Sequence, residues 1–143
     1  MGLEMKETEQ NNFEEGELYA NYLGHFYTNL EVLSEDAEKQ CEIMDYFNVA
    51  WELRDDATRG ASAVLNLAGD QLSEEQRASI QRLLVDVTAV PDSVVNVPMG
   101  SAKEEHLRAM KNSVWDQVRL DAKELISLLG PEIKRVKAVW GWT

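Results

Sequence analysis

The chain is predicted to be an all-α, single-domain helical bundle, with four main helices and a short C-terminal fifth. Three observations carry this. Apolar residues recur at three- and four-residue steps over most of the length. Serine-led capping signals and glycine or proline stops punctuate them. Strand-like alternation is weak everywhere except residues 94–97. A length of 143 residues suits one domain with its own core.

Residues 1–12 are polar and acidic without a period, and are expected to form a disordered tail. The bundle domain is expected over residues 13–143. The first helix is predicted from Phe13 to Leu33, with Leu18, Tyr19, Tyr22, Leu23, Phe26, Leu30 and Leu33 on one face. Ser34 reads as the next N-cap, with Glu35 and Asp36 in the first turn at the positive end of the helix dipole. That second helix is predicted to run to Ala68 and to stop at Gly69. Its apolar face drifts: Ala37, Cys41, Met44, Phe47 and Trp51 form one stripe, and Leu53, Ala57, Ala61, Val64 and Ala68 another. Either the helix meets different neighbours along its length, or it breaks near Asp55 to Gly60. Gly60 costs about 1 kcal/mol against Ala inside a helix. Close approach of another helix over Ala57, Gly60, Ala61 and Ala63 would explain it.

Ser73 and Gln76 form a capping box for a third helix, whose stripe is Ile80, Leu83, Leu84 and Val87. It ends before Val90-Pro91. The connection from Thr88 to Gly100 is apolar for a loop and is expected to cross the core, with one helical turn after Pro91. The main helix is predicted from Ser101, capped with Glu104, to Leu129. Its stripe is Leu107, Met110, Val114, Val118, Ala122, Leu125, Leu128 and Leu129. Gly130-Pro131 should stop it. A tail helix with Ile133, Val136, Val139 and Trp140 on one face follows.

The net charge of −12 is unevenly placed. Residues 1–56 hold 15 acids and three bases, whereas the remainder is balanced. Such a field repels nucleic acid and anionic membrane surfaces and favours a basic protein partner. The acids expected to face that partner are Glu35, Glu38, Glu42, Asp45, Glu52 and Asp55. Trp140 and Trp142, beside Lys134, Arg135 and Lys137, are candidate anchors for a partner or for self-association. Nothing points to a membrane span or a secretory leader, so a cytoplasmic location is expected.

No catalytic residue, metal ligand set or cofactor motif is assigned. The chain has His25, His106 and one cysteine, Cys41, without ligand spacing. Cys41 falls in an apolar stripe, where a thiol usually packs rather than reacts. Asp121 is the exception to a plain core. It falls inside the main stripe among Val114, Val118, Leu125 and Leu128, so it must pair or stay protonated. Pairing would fix helix register; the functional alternative is a ligand anchor or proton acceptor.

Glu35-x-x-Glu38 and Glu52-x-x-Asp55 resemble the paired carboxylates of all-α nucleotide pyrophosphohydrolases. That resemblance implies a Mg²⁺-dependent hydrolase. On one unbroken helix, however, Glu38 and Glu52 would lie about 21 Å apart, and Mg²⁺ takes oxygens at about 2.1 Å. Only a turn between Asp45 and Glu52 would unite them, and Phe47, Val49, Ala50 and Trp51 carry no turn chemistry. The reading that survives best is a non-enzymatic acidic protein-binding module of the immunity, inhibitor or export-chaperone type. The alternatives are the hydrolase and a small-ligand sensor with a pocket between the Thr88 to Gly100 loop and the aromatics of the first helix.

Overall fold

The computed structural model describes the backbone of residues 2–141 and the side chains of residues 14–141. Seven helices and no strand occur among the described residues. They are α1 (Gly2–Leu33), α2 (Ala37–Ile43), α3 (Val49–Leu67), α4 (Glu74–Thr88), α5 (Asp92–Val95), α6 (Lys103–Lys111) and α7 (Val114–Trp140). The fold is an all-α, single-domain bundle. The acidic tail expected over residues 1–12 lies outside the described side chains.

Four helices make the bundle. α1 packs on α3 and α7, and α4 packs on the same two from the opposite corner. Neighbours run antiparallel. Phe26 meets Gly60, Tyr19 meets Glu132, and Arg82 reaches Glu124. The core is the apolar stripe of each: Leu23, Phe26 and Leu30; Leu53, Ala57, Ala61 and Val64; Ile80, Leu83 and Val87; Trp115, Val118, Ala122, Leu125 and Leu129. The three short helices gather at the end where α1 finishes. There α2 packs on α6, and α5 and α6 touch α3.

Gly60 does what close approach requires. A Cβ there would stand 2.9 Å from Cδ1 of Phe26, so the aromatic ring occupies the space that any larger residue would fill. α3 is continuous through Asp55 to Gly60. The stripe drifts because the helix breaks earlier, between Ile43 and Val49.

That break is a Schellman motif, which satisfies the last carbonyls of α2. The Tyr46 amide donates to the Cys41 carbonyl at 2.8 Å, and the Asp45 amide donates to the Glu42 carbonyl at 3.1 Å. Asp45 takes the left-handed position where glycine is usual, at φ 54°, and Tyr46 and Asn48 follow at 53° and 45°. The prediction of one helix from Ser34 to Ala68 is therefore corrected. The turn chemistry lies in Asp45 and Asn48, whose short polar side chains tolerate left-handed backbone, and not among the apolar residues beside them. Asp45→Gly is expected to raise the unfolding free energy by about 1 kcal/mol, because glycine meets no Cβ strain at this position. Urea unfolding followed by circular dichroism reads the change, and an unchanged or lower midpoint would contradict it.

Four further boundaries move. The N-cap of α2 is Asp36, whose Oδ1 accepts from the Lys39 amide at 2.8 Å; Ser34 donates back to the Glu31 carbonyl. The predicted Ser101 to Leu129 helix is interrupted at Asn112 and Ser113. The Asn112 Oδ1 accepts from the Val114 amide at 3.0 Å, an Asx turn that competes with the helix. The Ser101–Glu104 box does not form. The Ser101 hydroxyl donates to the Pro98 carbonyl, and Ala102 is the N-cap of α6. Finally, α7 runs through Gly130 and Pro131 to Trp140 and ends at Gly141, φ 68°. Pro131 is exposed and removes one helical amide, while the turn after it buries Glu132, Ile133 and Val136. Burial of that turn against α1 outweighs the missing bond.

The Ser73 capping box forms as expected, with Gln76 Oε1 accepting from the Ser73 amide. The same Gln76 also donates to the Leu128 carbonyl of α7 at 3.0 Å. The Thr88 to Gly100 connection crosses the core through buried Val90 and Val95, with α5 as its one helical turn. Arg54 of α3 holds it, donating to the Val90 carbonyl at 3.0 Å and to Asp92 at 2.8 Å.

Candidate functional site

Around the break at residues 44–48, five side chains are exposed. Phe47 is 58% exposed and Ile43 47%, two exposed apolar side chains four residues apart. Glu38, Glu42 and Asp45 stand on the same short helix and its cap, all exposed. Tyr46, between them, is half-buried under α6, where the Lys103 ammonium lies 5.1 Å from its ring centroid. The turn is thus pinned on one side and presents Phe47 on the other. Left-handed backbone at three non-glycine positions within four residues carries strain that the fold maintains.

Beneath the turn, α2 and α6 are tied to the bundle by one cation. Arg119 of α7 donates to the Glu35 carbonyl at 3.2 Å, to Gln40 Oε1 at 2.9 Å and to the Met110 carbonyl at 2.6 Å. Its own-helix partner is Asp116 at 3.4 Å. Gln40 is fully buried and donates onward to the Val32 and Leu33 carbonyls. The Met110 carbonyl accepts this bond where α6 terminates. Burial lowers the Arg119 pKa below that of a free guanidinium, opposed by Asp116 and Asp36.

The six predicted partner-facing acids do not form one cluster. Glu35 sits in the α1–α2 connection, Glu38 and Glu42 on α2, Asp45 in its cap, and Glu52 and Asp55 on α3. Two have surface ion pairs: Glu38 with Lys111 at 3.7 Å and Asp55 with Arg59 at 3.2 Å. Such exposed pairs contribute little. Glu35, Glu42, Asp45 and Glu52 make no ion pair among the described residues. The break between Asp45 and Glu52 that the hydrolase resemblance needs is present. Even so, no three His, Cys, Asp or Glu side chains converge as metal ligands among the described residues.

Trp140 is half-buried beside Gly16 of α1, at the opposite end of the bundle from Phe47. Trp142 lies outside the described residues. Next to Trp140's helix turn, Tyr19 donates to Glu132 at 2.7 Å, and Arg135 bridges Glu132 to Gln71. Burial and the Glu132 carboxylate raise the Tyr19 pKa, so its proton stays in this network. Cys41 is fully buried, and desolvation raises its thiol pKa against the field of Arg119. Both conditions suppress nucleophilicity.

Asp121 is buried, as its place in the stripe requires, but its partner is a second acid. Gln117 donates to Oδ1 at 3.0 Å, while Oδ2 has no partner. Burial first, and then the neighbouring carboxyl of Asp86 on α4, push its pKa up to about 6; Gln117 and Arg82 act the other way. No salt bridge to Asp121 exists among the described residues. The residue is a carboxyl that shares its site with Asp86 across the α4–α7 contact.

Two hollows flank these elements. One, of about 430 Å³, lies between α1 and α3 and is lined by Tyr22, Phe26, Asn29, Leu53, Asp56 and Arg59 among others. It uses the first-helix aromatics as expected for a ligand pocket, but Asp121 and the Thr88 to Gly100 loop lie elsewhere. A shallower one borders that loop and α6, near Val97 and Ala109. Sequence reading missed the first hollow because its walls come from two helices 30 residues apart in the chain. Gly60 was the only local sign of it.

No protein-family model matches the chain, and neither a curated protein nor a solved structure does. No helix among the described residues is long and apolar enough to cross a membrane.

Proposed function

We propose that this protein is a non-enzymatic acidic module that docks on a basic protein surface, in the manner of an immunity protein, an inhibitor or an export chaperone. The observation that carries the reading is the α2–α3 turn. It leaves Phe47 and Ile43 exposed on a short segment that also carries the exposed acids Glu38, Glu42 and Asp45. Aromatic anchors supply affinity, and surrounding charge supplies steering and choice of partner. The acidic excess of the first 56 residues extends the same field along α1 and α3. Half-burial of Trp140 favours this turn over Trp140 as the anchor.

The test compares three immobilised proteins in lysate of the source cells: the wild type, Phe47→Ser, and Val85→Ser as an exposed apolar control on α4. The expected partner is basic, is retained by the wild type and Val85→Ser, and is lost with Phe47→Ser. With that partner purified, the association rate should fall about tenfold or more from low to molar salt. A partner held equally by Phe47→Ser, or a rate indifferent to salt, would overturn the reading.

A further inference from the structure

α2 and α3 carry one helical pattern and are parted by a strained joint. No glycine or proline occurs from Ala37 to Arg59, yet the helix stops at Ile43 and restarts at Val49. Asp45, Tyr46 and Asn48 hold left-handed backbone, at φ 54°, 53° and 45°. Such backbone is costly for a residue with a Cβ, and Tyr46 lacks the short polar side chain that eases it for Asp and Asn. The joint also leaves apolar surface uncovered. Ile43 and Phe47 are exposed, and Met44 and Trp51 are half-buried. On a straight helix these four side chains fall within one arc of about 100°.

Straightening the joint removes the left-handed residues and gathers that arc, but one closed chain forbids it. α1 runs antiparallel to α3 with Phe26 against Gly60, which sets Leu33 level with Leu53. If α2 continued the axis of α3, Ala37 would lie about 24 Å beyond that level. The connection from Leu33 to Ala37 reaches at most about 14 Å. A straight α2–α3 helix therefore requires α1 to leave its own bundle. We infer that the 44–48 joint is a hinge for exchange of the α1–α2 unit between two copies of this chain. α2 and α3 of each copy become one helix, and α1–α2 docks on α3, α6 and α7 of the other copy, the elements it packs on in the closed chain. The native contacts are remade across the dimer, including Phe26 on Gly60, Tyr19 with Glu132 and Gln40 with Arg119. Release of the strain and burial of the Ile43, Met44, Phe47 and Trp51 arc, where the two straight helices cross, favour the exchange. The exchanged dimer hides Phe47 and so does not dock. The hinge does not depend on the docking reading, because it needs only a second copy.

The test takes the full chain at about millimolar concentration, warms it to its unfolding midpoint, cools it and separates the products by size-exclusion chromatography with light scattering. A dimer that reverts slowly on dilution is expected, since exchange requires α1 to leave the core. Asn48→Ala suits a helix and not a left-handed position, and should lower the dimer dissociation constant about tenfold or more. Asp45→Gly favours the closed turn and should raise it by a similar factor. A dimer refolded from ¹³C-labelled and unlabelled chains should show the nuclear Overhauser effect from the Phe26 ring to the Gly60 α-protons between chains. Absence of a dimer from both the wild type and Asn48→Ala would overturn the inference. So would a dissociation constant equal in the wild type and both variants, or a Phe26–Gly60 effect confined within one chain, which would mark a face-to-face dimer joined through Phe47. Docking fails separately, through a partner retained by Phe47→Ser.

Discussion

Arg119→Met is expected to lower the unfolding free energy by about 3 kcal/mol, the largest loss for any single side chain outside the apolar core. Hydrogen bonds to a charged group contribute about 1.5–3 kcal/mol, and removing one partner strands the others. Here the stranded groups are Gln40 Oε1, in a side chain with no exposure, and the Met110 carbonyl at the end of α6. Methionine matches the aliphatic stem, so the loss reports the guanidinium and not the packing. Arg119→Lys should recover less than half, since one ammonium cannot span Glu35, Gln40 and Met110 as the planar fork does. Arg59→Met is the surface control, expected within about 0.5 kcal/mol of the wild type. Urea unfolding measures the energies. Amide exchange should show α2 and α6 losing protection before α1, α3, α4 and α7. A loss below about 1 kcal/mol would mean that the capping helices are held by apolar contact alone.

Asp121→Asn should stabilise the protein by about 2–3 kcal/mol at neutral pH and by almost nothing below pH 4. The sign follows from the direction of the shift. The folded pKa is raised to about 6 from an ordinary value near 3.8. Protons therefore bind the folded state more tightly. The stabilising contribution is complete below the unfolded pKa and is lost as pH rises through about 6. Above that, folding must accommodate a buried charge beside Asp86. The amide keeps the bond to Gln117 and imitates the protonated acid at every pH. Stability of the two proteins measured from pH 4 to 8 should thus diverge between about 4 and 6.5 and then run parallel. Parallel profiles throughout would show that Asp121 titrates normally. Retention of partner binding by Asp121→Asn is expected, since the residue faces α4 and lies away from Phe47.

The helical stripes were legible because burial leaves a period. Leu23, Phe26 and Leu30, or Val118, Ala122, Leu125 and Leu129, could only be one face of a helix, and each is buried. The Ser73 box was legible because both partners lie within one turn. Asp121 could be marked as an exception from the wheel alone. Its partner could not, since Asp86 is 35 residues away and enters only when α4 packs on α7. The acids of the front third were readable as a charge and not as a surface. Which of them would stand beside an exposed aromatic depended on where the helix broke.

Local pattern, then, determined the class of fold, the buried faces and the lopsided charge, because periodicity and composition are properties of consecutive residues. Tertiary packing decided where the helices stop. Asp45 and Asn48 tolerate a left-handed turn, and Asn112 offers an Asx turn, but each could also have stayed helical. The bundle selects the breaks because α2 and α6 can bury Cys41, His106 and Met110 only by leaving the axes of α3 and α7, with Arg119 satisfying the backbone so released. At Pro131 the same balance runs the other way, and burial of Ile133 and Val136 carries the helix past a residue that would ordinarily end it.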